Sequence, residues 1–250
     1  MKTSSILKIK KALIIVFWLL LWQIVSLVYN KPLILPSLFD CINSLFGLLD
    51  NSNFYLAIFS TLAKSLLGFL AAYIIGIFIS YLCFVNDLLF EFINPIVQLL
   101  KATPISSVVI FVLIFSSNSY ISSIISFIVV FPVVFYCCLN GYRNCNKNLV
   151  ELANVFQLPN RVKLLYIWPN LITPYLQSIS DSTVSLAIKS SVASELIGLT
   201  ANSIGLQFYY CKLNLQNAEL ICYTFIIVLA AYALEKGVKR LLNVIGGYHD

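Results

Sequence analysis

The feature that most constrains this chain is its long apolar stretches, which few charges interrupt. The run from Ala12 to Val28 alone is about 26 Å long at helical rise, close to the thickness of a bilayer core. Of the 250 residues, 60% are hydrophobic and only 10% are charged, with a mean hydropathy of +0.92. A soluble domain carries about 25% charged residues. The composition is that of a membrane protein and excludes a water-soluble enzyme.

The residue inventory narrows the chemistry further. The single histidine is His249, so no Ser-His triad, HExxH site or facial metal triad can be assembled. Cys41, Cys83, Cys137, Cys138, Cys145, Cys211 and Cys222 form no CxxC pair and lie mostly in or beside apolar runs. They read as small core hydrophobes, with no metal or disulfide framework expected. With Asp181 the one well-placed acid for an aspartyl dyad, an intramembrane enzyme is not expected either.

Six spans can be drawn, at about 12–29, 57–84, 94–116, 119–138, 172–198 and 218–235. The expectation is an all-α polytopic membrane protein in two parts. Residues 1–56 hold an N-terminal membrane anchor helix and an outer interfacial segment, and 57–250 hold the core. An even number of spans puts both ends on one side. Lys2, Lys8, Lys10 and Lys11, then Arg143, Lys147, Arg161 and Lys163, then Lys236, Lys239 and Arg240 fall on that side, and only Lys31 and Lys212 on the other. By the positive-inside rule both termini are cytoplasmic. The first segment also has the basic start and apolar core of a signal peptide, but its core is long and no small-x-small cleavage site follows. Pro32 and Pro36 bracket a turn, and Ser37 to Leu49 reads as a helix lying on the outer surface.

Within the second span Gly68, Ala72, Gly76 and Ser80 recur every four residues, a small-residue face for close helix packing. The fifth span is the most polar. Gln177, Ser178, Asp181, Ser185, Lys189 and Glu195 fall within an arc of about 120° at 100° per residue, and a translocation pathway or charge pairing between helices accounts for it. Asp181 and Lys189 are about 12 Å apart along the axis, so each needs a partner from elsewhere. Lys64 and Lys101 are also embedded, a balance compatible with an anionic solute.

The long connection of about 139–171 is patterned. Asn148 with Glu151 suits a helix N-cap, and Leu149, Leu152, Ala153 and Phe156 make an apolar stripe. Leu158-Pro159-Asn160 breaks it, and a basic segment runs to Trp168-Pro169-Asn170. A docking surface for a soluble partner and an interfacial helix on lipid both fit this pattern.

Glu151-Leu152-Ala153, six residues on to Gln157, then Ile167-Trp168-Pro169 resembles the EAA loop of ABC-importer permeases. That pattern reads Glu-Ala-Ala, a glycine six residues after the Glu, and a closing Ile-x-Leu-Pro. The stretches Leu100 to Pro104 (LKATP), Lys189 to Gly198 (KSSVASELIG) and Ser203-Ile204-Gly205 extend the likeness from about Thr61 to Leu241. They are similar to the nitrate/sulfonate/taurine branch of binding-protein-dependent permeases. Gln157 stands where the pattern has glycine, and Leu152 at the first alanine.

The resemblance implies the MetI-like fold of a type I importer permease in the plasma membrane. Its partners would be an ABC ATPase subunit, an extracytoplasmic solute-binding protein and a second permease subunit, most simply a homodimer, with no nucleic acid. The coupling residues it implies are Glu151, Ala153, Phe156, Gln157, Ile167 and Pro169. No GxxxxGK[ST] phosphate loop occurs, so no cofactor is expected in this chain and ATP would be bound by the partner. An ion-coupled secondary transporter or channel is the alternative, with Asp181 and Glu195 as relay groups.

Overall fold

A computed structural model describes residues 2–144, 155–157, 159 and 167–245, with side chains from Lys10 onward except those of residues 11, 12 and 245. Among its described residues the regular secondary structure is all helical, without strands. The elements are α1 (Lys2–Tyr29), α2 (Leu38–Leu49), α3 (Ser52–Val85), α4 (Asp87–Ala102), α5 (Ile105–Phe115), a 3-10 turn (Asn118–Tyr120), α6 (Ile121–Arg143), α7 (Trp168–Gly198), α8 (Ile204–Leu213) and α9 (Asn217–Ile245).

Among the described residues three helices are long and apolar enough to cross a membrane, at Ser52–Val85, Asn118–Arg143 and Asn217–Val244. The count becomes four if α4 and α5 are one bent span. The expected third span, 94–116, is not continuous: α4 and α5 meet at 107°. The cause is Pro104, which has no N–H to give and drives the residue before it out of the helical region. Thr103 accordingly sits at ψ 131°. The expected fifth span, 172–198, is one helix, but its serines and charges keep it out of the apolar set.

The core is the α3, α6 and α7 layer. Gly68, Ala72, Gly76 and Ser80 are all buried, and the neighbour they admit is α6 of the same chain. A Cβ at Gly68 would stand 2.2 Å from the Ser123 carbonyl oxygen, and one at Gly76 2.9 Å from a Val134 methyl. Backbones this close let hydroxyls bond across the seam. Ser123 Oγ donates to the Lys64 carbonyl at 2.9 Å, and Ser126 Oγ to that of Ser65 at 2.9 Å. Packing and interhelical hydrogen bonds hold helices together where lipid offers no hydrophobic drive.

The N-terminal part is attached more lightly. Most side chains of α1 from Leu13 to Tyr29 are exposed, and it is tied to the turn before α2 by Ser26 Oγ, which donates to the Leu35 carbonyl, and by Gln23 Oε1, which accepts from the Leu38 amide. Ser37 and Asp40 form a capping box that starts α2. The Ser37 backbone and hydroxyl hydrogen bonds hold the Asp40 carboxyl below its usual range. α2 then docks on α9, where the Cys222 thiol donates to the Cys41 carbonyl at 3.1 Å.

Gly68→Ala is expected to cost about 1–3 kcal/mol through overpacking and to lower the thermal midpoint in detergent. Gly47→Ala, whose Cβ meets nothing within 4 Å, should be neutral or slightly stabilising; equal midpoints for the two would contradict the close seam. Because the folded Asp40 titrates below the unfolded group, its contribution is complete above the ordinary carboxylate range and fades as pH falls through the folded value. Asp40→Ala should therefore lower stability at neutral pH and shrink the difference from wild type in acid, read by pH-dependent melting.

Candidate functional site

The polar content of α7 is tolerable in apolar surroundings because much of it is satisfied inside the helix. The hydroxyls of Ser178, Ser180, Ser182, Ser190 and Ser194 each donate to the carbonyl three residues earlier. The polar residues of α7 fall into three environments.

The first is an open ridge. Ser178, Ser182 and Lys189 are exposed and Ser185 is half-buried, all on the same face of α7. The second faces α9: Gln177 Nε2 donates to Asn243 Oδ1 at 2.9 Å, and Asp181 is ion-paired with Lys239. The partner that Asp181 required is thus in the C-terminal helix, which runs past the expected end at 235. The third environment encloses Glu195, which is fully buried.

Glu195 receives Thr61 Oγ1 at 2.9 Å, Ser122 Oγ at 2.8 Å and the Gly205 amide at 3.3 Å. Thr61 Oγ1 in turn accepts from the Ile204 amide at 3.0 Å, which leaves its proton directed at the carboxylate. Every group offered is a donor, the complement of a carboxylate, and they come from α3, α6 and the start of α8. Glu195 thus marks the edge where the polar arc turns inward, and its hydrogen bonds join four helices. The chain reverses between α7 and α8 through Leu199 at φ 47° and Asn202 at φ 51°. A Cβ on Gly205 would meet Glu195 Cβ and the Leu196 amide nitrogen, each at 2.4 Å. Thr61, Ser122 and Gly205 carry no signal as a set in the sequence; the one legible hint is Ser203-Ile204-Gly205 as a helix start with a glycine inside it.

At the other end of α7 the long connection is anchored. The Trp168 ring packs edge-on to Tyr81, Phe84 and Tyr142 at centroid distances of 6.1, 5.4 and 5.6 Å. The cluster clamps the ends of α3 and α6 to the start of α7, and so fixes where residues 144 and 167 emerge. Glu151 and Ala153 lie outside the described residues. Phe156 is exposed, Ile167 and Pro169 are half-buried, and Pro169 borders an apolar cleft of about 360 Å³ with Tyr73 and Leu176. Gln157 has φ 49°, in the left-handed region that glycine adopts most readily.

Comparison with protein-family models and with curated proteins returns no match to this chain. Among the described residues no group of histidine, cysteine and carboxylate side chains is placed to hold a metal ion.

Glu195→Gln would turn an amide donor toward groups that already donate, at an expected cost of about 1–3 kcal/mol, and Gly205→Ala would push α8 from α7. Both should lower the thermal midpoint, while Glu235→Gln, at a half-buried position of α9, should not. Wild-type melting of Glu195→Gln would show that the buried carboxylate does not hold the four helices.

Proposed function

We propose that this chain is the membrane-spanning permease subunit of an ATP-driven type I importer for a small, anionic solute. In this reading six segments cross the plasma membrane, both termini are cytoplasmic, and the fold is MetI-like. The observation that carries the proposal is the open ridge of α7. Ser178, Ser182, Ser185 and Lys189 form a polar line on a chain whose other exposed surface is largely apolar. Polar and ionisable groups at membrane depth face a bundle interior or a water-filled cavity, not lipid. A second subunit laid against this ridge would leave a wet path between the two copies.

Three further points support the same reading. The connection between α6 and α7 is held at both ends by the Trp168 cluster, as a surface that transmits force requires. Gln157, at the position of the glycine in the EAA pattern, has φ 49°, a region that glycine adopts most readily. The chain has no phosphate loop of its own, so energy would come from an ABC ATPase subunit that binds ATP, with an extracytoplasmic solute-binding protein delivering the solute.

The ion-coupled alternative fares less well on geometry. Its relay groups would be Asp181, which is paired with Lys239, and Glu195, which is enclosed by donors.

The test is co-purification. With the genes for a companion ATPase co-expressed, wild-type chain should retain the ATPase in detergent and support ATP-dependent uptake. Glu151→Lys, or deletion of residues 151–159, should leave the chain in the membrane at a normal level but lose ATPase association by about tenfold or more, as for removal of a charge-assisted contact. Normal association and uptake in both variants would contradict the coupling role of this connection.

A further inference from the structure

We propose that the elbow between α4 and α5 is a binding site for a small organic anion, with the Lys101 ammonium as its charged end. A cavity of about 240 Å³ lies inside the elbow, bordered by Lys101, Thr103, Ile105, Pro132, Val133 and Leu186. Pro132 is the midpoint of α6 and Leu186 lies in the middle third of α7, so the cavity lies against the middle of both helices. Backbone that is not helical within an apolar layer is stable only where protein buries it or where it lines a cavity. The break at Thr103-Pro104 meets the second condition.

The charge there is unbalanced. Lys101 borders the cavity from an exposed position and has no carboxylate within ion-pair distance among the described residues, where the ion pair is that of Asp181 with Lys239. Its ammonium stands 5.5 Å from the centroid of the Tyr136 ring, a cation–π contact that softens the cost of the position but does not neutralise it. Tyr136 is itself fixed, its hydroxyl donating to Asn94 Oδ1 at 2.8 Å, so the platform beneath the lysine is rigid. The start of α5 adds to the same sign of potential: no side chain caps it, and Ile105 at its first turn borders the cavity.

The walls select the rest of the ligand. Apart from Lys101 and Thr103 they are aliphatic or proline, and the Thr103 hydroxyl proton is spent on the Leu99 carbonyl at 2.7 Å. A cation at one end of an apolar cavity suits a carboxylate or similar acid group on a short aliphatic body. A free cation has no acceptor charge to meet, and a neutral polar molecule has too few partners. Leu186 follows Ser185 on α7, which puts the site beside the open ridge.

The inference rests on the proposed pathway for its place in transport, but it needs no ATPase. Radiolabelled butyrate is the probe, with equilibrium binding measured on the purified full chain in detergent. Saturable binding in the millimolar range is expected, competed by unlabelled butyrate but not by butylammonium or butyramide. Lys101→Met should weaken it by about tenfold or more, and Lys101→Arg should restore most of it. Wild-type melting of each variant separates loss of the site from loss of the fold, and Lys64→Met, if it melts as wild type does, should bind normally. Absence of saturable butyrate binding, equal binding by well-folded Lys101→Met, or competition by butylammonium would overturn the site, whatever the outcome with the ATPase.

Discussion

A buried carboxylate that meets only donors is the constraint on which the architecture at one end of this chain depends. Glu195 is enclosed by Thr61, Ser122 and the Gly205 amide, and in apolar surroundings a carboxylate without such company would be costly. The hydrogen bonds must therefore form together or the cluster fails together. This ties the start of α6, the end of α7 and the start of α8 to one turn of α3, and with them the reversal through Leu199 and Asn202. A polar cluster of this kind specifies relative position, since an apolar contact could slide along the helices and a triply bonded carboxylate cannot.

The close α3–α6 seam works with that cluster. Small residues let the backbones approach until Ser123 and Ser126 reach carbonyls on the facing helix, so packing and hydrogen bonding reinforce each other. At the other end, rings replace hydroxyls: Trp168, Tyr142, Tyr81 and Phe84 lock the same three helices. The bundle is pinned at both ends, while α4 and α5, bent at 107° to each other, lie along one side of it.

Apolar run length alone made α3, α6 and α9 legible, because a helix that meets lipid must be apolar over a bilayer's thickness. It did not register the elbow at Thr103-Pro104, since hydropathy carries no direction, although the effect of proline on its predecessor was there to read. The small face of α3 could be seen but not the helix it faces. For α7, a wheel identified the polar residues correctly as unusual, but it views one helix in isolation. Whether Glu195 met water or Thr61, Ser122 and Gly205 depended on segments distant in sequence. Asp181 and Lys239 were both visible as charges, and a span ended at 235 kept them apart, whereas the helix continues to Ile245.

The length of α3 has a geometric consequence. At 34 residues it extends about 51 Å, against about 30 Å of hydrocarbon. Even at a steep tilt of about 40° its projection is about 39 Å, so roughly 9 Å cannot lie within the apolar layer. The ends are suited to this surplus, with Asn51, Ser52 and Asn53 at one and Asn86 and Asp87 at the other. The helix therefore acts as a strut that stands proud of the hydrocarbon. A bilayer thinner than its apolar length would deform around it before the bundle did.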